Sequence, residues 1–259
     1  MKDKVSIVTG ASDGLGFDMA SALAEAGSHL VITSRDEPRA RRAGEAITRR
    51  YGVETLPVTM DQQFPESVAG MVREVLTWKG QIDVLINNAS GGSGNKIGDL
   101  SEHSIQETAA VITTNLIGVL YCCQKVGEIM AQQGFGKIIN IASVAGMLGR
   151  DRRMYRESGL KGKTVDYAAS KAGVIGLTLD LAGLLSPLGV HVNAISPGGF
   201  DNDNLPDRFV ELYSDSTPLG RMGEMGRDIK GAALFLASAA SDYITGHNLV
   251  VDGGFSMWK

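Results

Sequence analysis

The chain has 259 residues, 21% of them charged, and a formal net charge of −4; this length suits one large core, and the charge gives no global attraction to nucleic acid or an anionic membrane. Its two cysteines, Cys122 and Cys123, are adjacent, too few and too close for a disulfide framework or a zinc site. No run reaches the roughly 18 apolar residues of a membrane span, and the opening MKDKVSIVTG lacks the apolar segment of a signal peptide, so a soluble, cytoplasmic protein is expected.

In chain order, strands are expected at VSIV (5–8), HLVIT (29–33), VETLPV (53–58), DVLIN (83–87), KIINIA (137–142), VHVNAI (190–195) and NLVVD (248–252). Several are continuous apolar runs, as strands covered on both faces require. Between them, 17–26, 39–51, 65–78 and 104–132 carry apolar residues at helical spacing. The alternation predicts an α/β, Rossmann-like doubly wound parallel sheet of about seven strands with helices on both faces. No linker or internal repeat divides the chain, so residues 1–259 are read as one domain. Two stretches read as irregular, 146–164 and 198–218. Both follow strands, at the sheet end where ligands bind.

The first strand runs into TGASDGLG, with Gly10, Gly14 and Gly16 spaced G-x-x-x-G-x-G. Gly10 turns sharply, Gly14 lets backbone approach a pyrophosphate and Gly16 allows close helix packing. The helix that follows aims free N–H groups and its positive dipole end at phosphates. A tight turn with no ligand is the plainer explanation of three glycines, but their place between the first strand and first helix favours a dinucleotide. At the end of the second strand stand Thr33, Ser34 and Arg35, where an NAD site usually has an acid. Ser34 does not repel a 2′-phosphate and Arg35 offers a forked cation to grip one. NADP(H) is therefore expected in preference to NAD(H), with Asp13 and Asp36 opposing that choice by their charge.

In TVDYAASKAG (164–173), Tyr167 and Lys171 are four apart, so they share one helix face. A phenol with an ordinary pKa near 10 exchanges protons poorly at neutral pH, and a nearby cation lowers that value. An ordinary amphipathic helix also explains Y-x-x-x-K; its place after the fifth strand favours a catalytic pair.

These residues resemble the short-chain dehydrogenase/reductase family over essentially the whole chain. The matching motifs are TGASDGLG (9–16), Asp61 after the third strand, NNA (87–89), Asn115 in TTNLIG, Ser143 in IASVAG, YAASK (167–171), SPGG (196–199) and VDGG (251–254). The resemblance implies that Tyr167 is the general acid/base, that Lys171 depresses its pKa and holds the nicotinamide ribose, and that Ser143 stabilises the substrate oxygen. It implies that Asn115 anchors a water relay from Lys171. It places Ser12, Asp13 and Leu15 in the cofactor turn, Asp61, Gln62 and Asn88, with Ala89, on the adenosine side, and Pro197, Gly198 and Phe200 along the nicotinamide. The chain departs from the pattern in three places: Ser90 replaces a glycine, GGFDNDN lacks a threonine, and 24 residues separate Ser143 from Tyr167, more than the family allows unless a segment loops out.

That segment, 149–163, has from residue 150 onward six cations and two acids, whereas the lid expected at about 200–218 has between 201 and 217 five acids and one cation. Arg152 and Arg153 are the expected clamp for an anionic substrate such as a sugar acid; the other reading is that the oppositely charged loops pair with each other. The insertion and the ending loosely resemble the gluconate 5-dehydrogenase-like branch, which implies oxidation or reduction of a sugar, sugar acid or polyol at a secondary alcohol or ketone. The alternatives are reduction of a 3-oxoacyl thioester, and a non-catalytic dinucleotide-binding regulator. The family analogy further implies a homotetramer, with the helices carrying Cys122–Cys123 and 167–185 at its interfaces.

Overall fold

The computed structural model describes residues 1–91 and 104–258. Seven parallel strands form one sheet: β1 (Val5–Val8), β2 (His29–Ser34), β3 (Thr55–Thr59), β4 (Val84–Asn87), β5 (Gly136–Ile141), β6 (Val190–Pro197) and β9 (Asn248–Val251), in the order β3-β2-β1-β4-β5-β6-β9. A separate two-stranded pairing joins β7 (Phe200–Asp201) to β8 (Gly223–Glu224). The α/β fold expected from the strand–helix alternation is the fold observed.

The continuous apolar runs explain the sheet's position. β1, β4 and β5 are buried along their whole length, because helices cover both faces. Successive side chains point to opposite faces, so β1 divides its residues between two cores. Val5 and Ile7 join the face covered by α3 (Pro65–Lys79), α5 (Gly118–Gln133) and α7 (Val165–Leu185). Val8 joins the face covered by α1 (Gly14–Glu25), α2 (Glu37–Tyr51) and α9 (Lys230–Ala237). The start of α2 is set by Asp36, whose carboxylate accepts from the Arg39 N–H at 2.9 Å, leaving one fewer orphan donor in the first turn. Strand order reverses between β1 and β4, which opens a crevice at their carboxyl ends.

Three expected segments are more structured than their sequence suggests. The helical stretch 104–132 is α4 (Ile105–Ile112), a π-helical turn over Thr113–Ile117, and α5. The irregular stretches each contain a helix, α6 (Arg152–Glu157) in the insertion and α8 (Asp207–Asp215) in the lid. Asp151 caps α6 by accepting from the Arg153 N–H at 2.9 Å.

Helices α6 and α8 pack on one another around a satellite core of Met154, Phe209, Tyr213 and Met222. The Tyr155 and Phe209 ring centroids are 5.0 Å apart and Tyr213 stacks on Phe255 at 4.3 Å. One ion pair, Arg208 to Glu157 at 3.1 Å, links the two helices; it is half exposed and so weak. The opposite charges of insertion and lid therefore matter less than the apolar contact beneath them. Residues Ile105–Gln133 and Val165–Leu188 are long and apolar enough to cross a membrane by length and composition. Here their buried residues, among them Val119, Val126, Met130 and Val174, belong to the core of the sheet.

Candidate active site

The glycine turn is built from backbone at close quarters. Gly10 has φ +61°, and a Cβ there would meet the Ala89 Cα at 2.9 Å. Gly16 stands in the first turn of α1, where a Cβ would meet the Gly10 carbonyl oxygen at 2.5 Å and the Asn88 Nδ2 at 2.4 Å. The Asn88 amide donates to the carbonyls of Thr9 (2.9 Å) and Gly10 (3.0 Å), and Thr9 Oγ1 accepts from the N–H groups of Asn88 and Ala89. β1 and β4 are thus tied together at the switch point by side chains that hold the turn. Asn88, expected on the adenosine side, also fixes the turn's shape.

Beside this turn lies a crevice of about 540 Å³. All of the turn positions expected to hold cofactor line it: Gly10, Ser12, Asp13, Gly14, Leu15 and Gly16. So do Ser34 and Arg35 from the end of β2, Asp61 and Gln62 after β3, and Asn88 and Ala89 after β4. Arg39 also lines it and was not singled out in the sequence; it sits one turn into α2 and forms an ion pair with Asp13. A motif reading of the strand end stops before this residue. Gln62 is buried, donates to the carbonyls of Ala89 (2.9 Å) and Thr114 (2.7 Å), and leaves its own Oε1 without a partner.

Ser90 and Thr114 also line the crevice, and hydrogen bonds run from the neighbouring Gly91 and Asn115 to α7. The Gly91 N–H donates to Asn115 Oδ1 at 2.8 Å, and Asn115 Nδ2 lies 3.4 Å from Ser170 Oγ. Ser170 in turn donates to the Tyr167 carbonyl at 2.7 Å. Asn115 lies inside the π-helical turn and is fully buried. Such single-turn π segments accompany functional sites, and nothing in the periodicity of one sequence marks them.

On α7, the Lys171 ammonium lies 5.8 Å from the Tyr167 ring centroid and donates to the Ile141 carbonyl, at the end of β5, at 2.7 Å. Burial brings the Lys171 pKa down to about 8. Ser143, which follows β5, acts on the Tyr167 hydroxyl, and its Oγ accepts from the Ala145 N–H at 3.1 Å. Burial pushes the Tyr167 phenol above its ordinary value; Ser143 and the Arg150 charge pull it down, and Tyr155 pushes it up. The 24-residue separation is accommodated because the extra residues form α6 and its flanks. The structure thus brings Ser143, Tyr167, Lys171 and, through Ser170, Asn115 to one place.

The remaining expected positions lie elsewhere or face other groups. Pro197 closes β6 and Gly198 sits against Asp252. Phe200 lies in β7 and lines a second hollow, of about 490 Å³, with Pro218, Met222 and Met257. Arg153 forks onto Asp151 through Nε and Nη2 at 2.6–3.1 Å, and Arg152 donates to the Lys163 carbonyl at 3.1 Å. The insertion cations that stand near the catalytic phenol are Arg150 and Lys163, the latter 5.9 Å from the ring centroid. Buried Cys123, hydrogen-bonded with Asn87 and Asn140, has its thiol pushed up to about 12 by burial, which leaves it unreactive.

A parallel sheet with a glycine-turn crevice at its switch point, and with a serine after β5 gathered beside a tyrosine and lysine of α7, defines a dinucleotide-dependent oxidoreductase, and the chain belongs to the short-chain dehydrogenase/reductase family. Residues 10–256 match the family model described as enoyl-(acyl carrier protein) reductase. Among curated proteins, the chain is 35% identical over 257 residues to the 3-oxoacyl-(acyl-carrier-protein) reductase of Aquifex aeolicus, covering 98% of both chains. Among solved structures, it is similar to a gluconate 5-dehydrogenase from Burkholderia cenocepacia in complex with NADP and tartrate (31% identity, 99% of this chain and 96% of that one, TM-score 0.87). It is also similar to an NAD+-bound xylitol dehydrogenase (29% identity, 98% and 99%, TM-score 0.87).

Proposed function

We propose that the protein is an NADP(H)-preferring dehydrogenase/reductase that interconverts a secondary alcohol and a ketone on a compact polar substrate, a sugar, sugar acid or polyol. The observation that carries this reading is Tyr167, set one helical turn from Lys171 on α7 with Ser143 and Arg150 acting on its hydroxyl. The cradle suits a dinucleotide, because at Gly10 and Gly16 backbone packs where any Cβ would collide. Arg35 and Arg39 border the place for a 2′-phosphate. The two acids that opposed NADP(H) are occupied, Asp13 by Arg39 and Asp36 by the α2 cap.

The bound dinucleotide would deliver hydride to the carbonyl carbon, or accept it in the reverse direction. Tyr167 would donate its hydroxyl proton to the carbonyl oxygen as negative charge develops there. Ser143 would hydrogen-bond the same oxygen and lower the cost of that charge. Lys171, still largely protonated at neutral pH with a pKa near 8, would favour the phenolate left behind and hold the ribose. Asn115, fixed by Gly91 and Ser170, would position the route by which the proton is replaced.

A second reading, reduction of a 3-oxoacyl thioester, is favoured by the name of the Aquifex relative. The exposed acids Asp203, Asp207, Glu211 and Asp215 of the lid would repel an anionic pantetheine phosphate, which is why the compact substrate is preferred. A non-catalytic regulator has no use for the aligned tyrosine, serine and lysine. We further propose a cytoplasmic homotetramer, for which the exposed Leu179 and Leu184 on α7 offer an apolar contact. Oxidation of NADPH and of NADH across sugar acids, ketoses, simple ketones and acyl thioesters tests the reading. Turnover of keto acids or ketoses with NADPH supports it, turnover of acyl thioesters alone replaces it with the second reading, and no turnover of any ketone rejects both.

A further inference from the structure

Arg150 is the insertion's one guanidinium whose charge acts on the catalytic tyrosine, whereas the sequence singled out Arg152 and Arg153. Its Nη2 donates to the Thr164 carbonyl, at the N-cap of α7, at 2.7 Å. Its Nη1 is shielded from solvent and has no hydrogen-bond partner. Among the described residues no carboxylate pairs with it. Its surroundings are instead another cation, Arg152, and the two phenols Tyr155 and Tyr167.

This arrangement is costly unless something anionic completes it. A shielded donor without a partner is unfavourable, more so when charged, and a half-buried cation without a counter-ion adds to that. The neighbouring cations are satisfied differently. Arg153 is neutralised by Asp151 at the exposed edge, and Arg208 by Glu157 and Glu211. Arg150 alone of these combines burial, an unused N–H and proximity to the proton donor. Tyr155, which supports the guanidinium, also packs on Phe209 of the lid at 5.0 Å. Arg150 thus lies at the joint between the cap and the catalytic helix, with Lys163 adding positive charge over the Tyr167 ring at 5.9 Å.

We propose that Arg150 recognises the carboxylate of the substrate, so that the site is built for a hydroxy acid and its keto acid, with the carboxylate held by the guanidinium while the carbinol carbon faces Tyr167. This rests on the oxidoreductase reading above and narrows its substrate to acids. The fork of Arg150 suits a carboxylate, and one N–H is already spent on Thr164, so the remaining nitrogens are free to bond the ligand. Arg152 and Arg153 serve the shape of the insertion.

The test is binding to the NADPH-loaded enzyme, followed by calorimetry, of gluconate, tartrate and glycerate against the uncharged sorbitol and glycerol. The wild-type protein is expected to bind at least one acid about 10- to 100-fold more tightly than its uncharged counterpart. Arg150→Gln should abolish that preference, Arg150→Lys should keep part of it, and Arg152→Gln should leave it intact. An equal weakening of acid and polyol in Arg150→Gln, an unchanged preference in Arg150→Gln, or a wild-type protein that prefers no acid each overturns the proposal. Thermal melting of the variants identifies a misfolded Arg150→Gln, in which case the partial preference of Arg150→Lys decides. If acids bind through Arg150 but none is oxidised or reduced with either coenzyme, the oxidoreductase reading fails while the carboxylate site stands.

Discussion

The two halves of the candidate site, for coenzyme and for cap, are made in different ways. The coenzyme half, around β1, β2 and β4, is backbone held at van der Waals limits: Gly16 lies against the Gly10 carbonyl, and Asn88 and Thr9 bond the turn from the neighbouring strand. The cap half, α6 and α8, is a small apolar core in which Met154, Phe209, Tyr213 and Met222 meet from segments about 50 or more residues apart. Backbone geometry leaves a mark in sequence because only glycine fits it. A satellite core leaves none, since any residues of suitable volume fill it.

If the comparison holds, damage to either half should be separable. The largest effect is expected for Phe209→Ala, which removes the centre of the satellite core. The cap should lose about 3–5 kcal/mol of local stability, read as faster proteolytic cleavage in 200–218 and a raised KM, while NADPH affinity is unchanged. Loss of NADPH affinity in that variant would show the halves to be coupled. Gly16→Ala should do the converse. Its new methyl cannot avoid the Gly10 carbonyl, and overpacking of this kind costs about 2–3 kcal/mol. Fluorescence titration should find NADPH bound roughly 30- to 150-fold more weakly, with the proteolysis pattern of the cap intact.

Smaller effects sharpen the comparison within each half. Arg35→Ala should weaken NADPH by about 1–2 kcal/mol and leave NADH nearly unchanged; equal losses for both coenzymes would remove the 2′-phosphate role. Arg208→Ala breaks two exposed ion pairs and should cost less than about 1 kcal/mol, so its melting temperature should stay within a few degrees of wild type. A larger fall would mean that charge, not Phe209, joins the insertion to the lid.

The same contrast explains what could be read from the sequence. The central strands β1, β4 and β5 were legible because burial on both faces favours nearly continuous apolar runs such as VSIV and VLIN. β3 starts at Thr55 rather than 53, a shift that a run beginning VET does not reveal. The glycine turn and the Tyr167–Lys171 pair were legible from spacing. The π-helical turn holding Asn115 was not, because it interrupts a helix without a proline or a change in period. Within the insertion, counting charges could not separate Arg150 from Arg153: Asp151, two residues before Arg153, neutralises it only through a local fork. The place of Phe200 in β7 against Gly223 was not legible, because it depends on a pairing between segments over 20 residues apart.

The central claim is that the Tyr167 hydroxyl supplies the proton while hydride arrives from the coenzyme. The direct test follows deuterium from NADPH labelled at one face of C4 into the carbinol carbon of the product, with wild-type protein and with Tyr167→Phe. Label should reach that carbon from one face only, and Tyr167→Phe should bind NADPH as tightly while transferring label about 10²–10⁴-fold more slowly. Transfer by Tyr167→Phe at the wild-type rate would contradict the assignment.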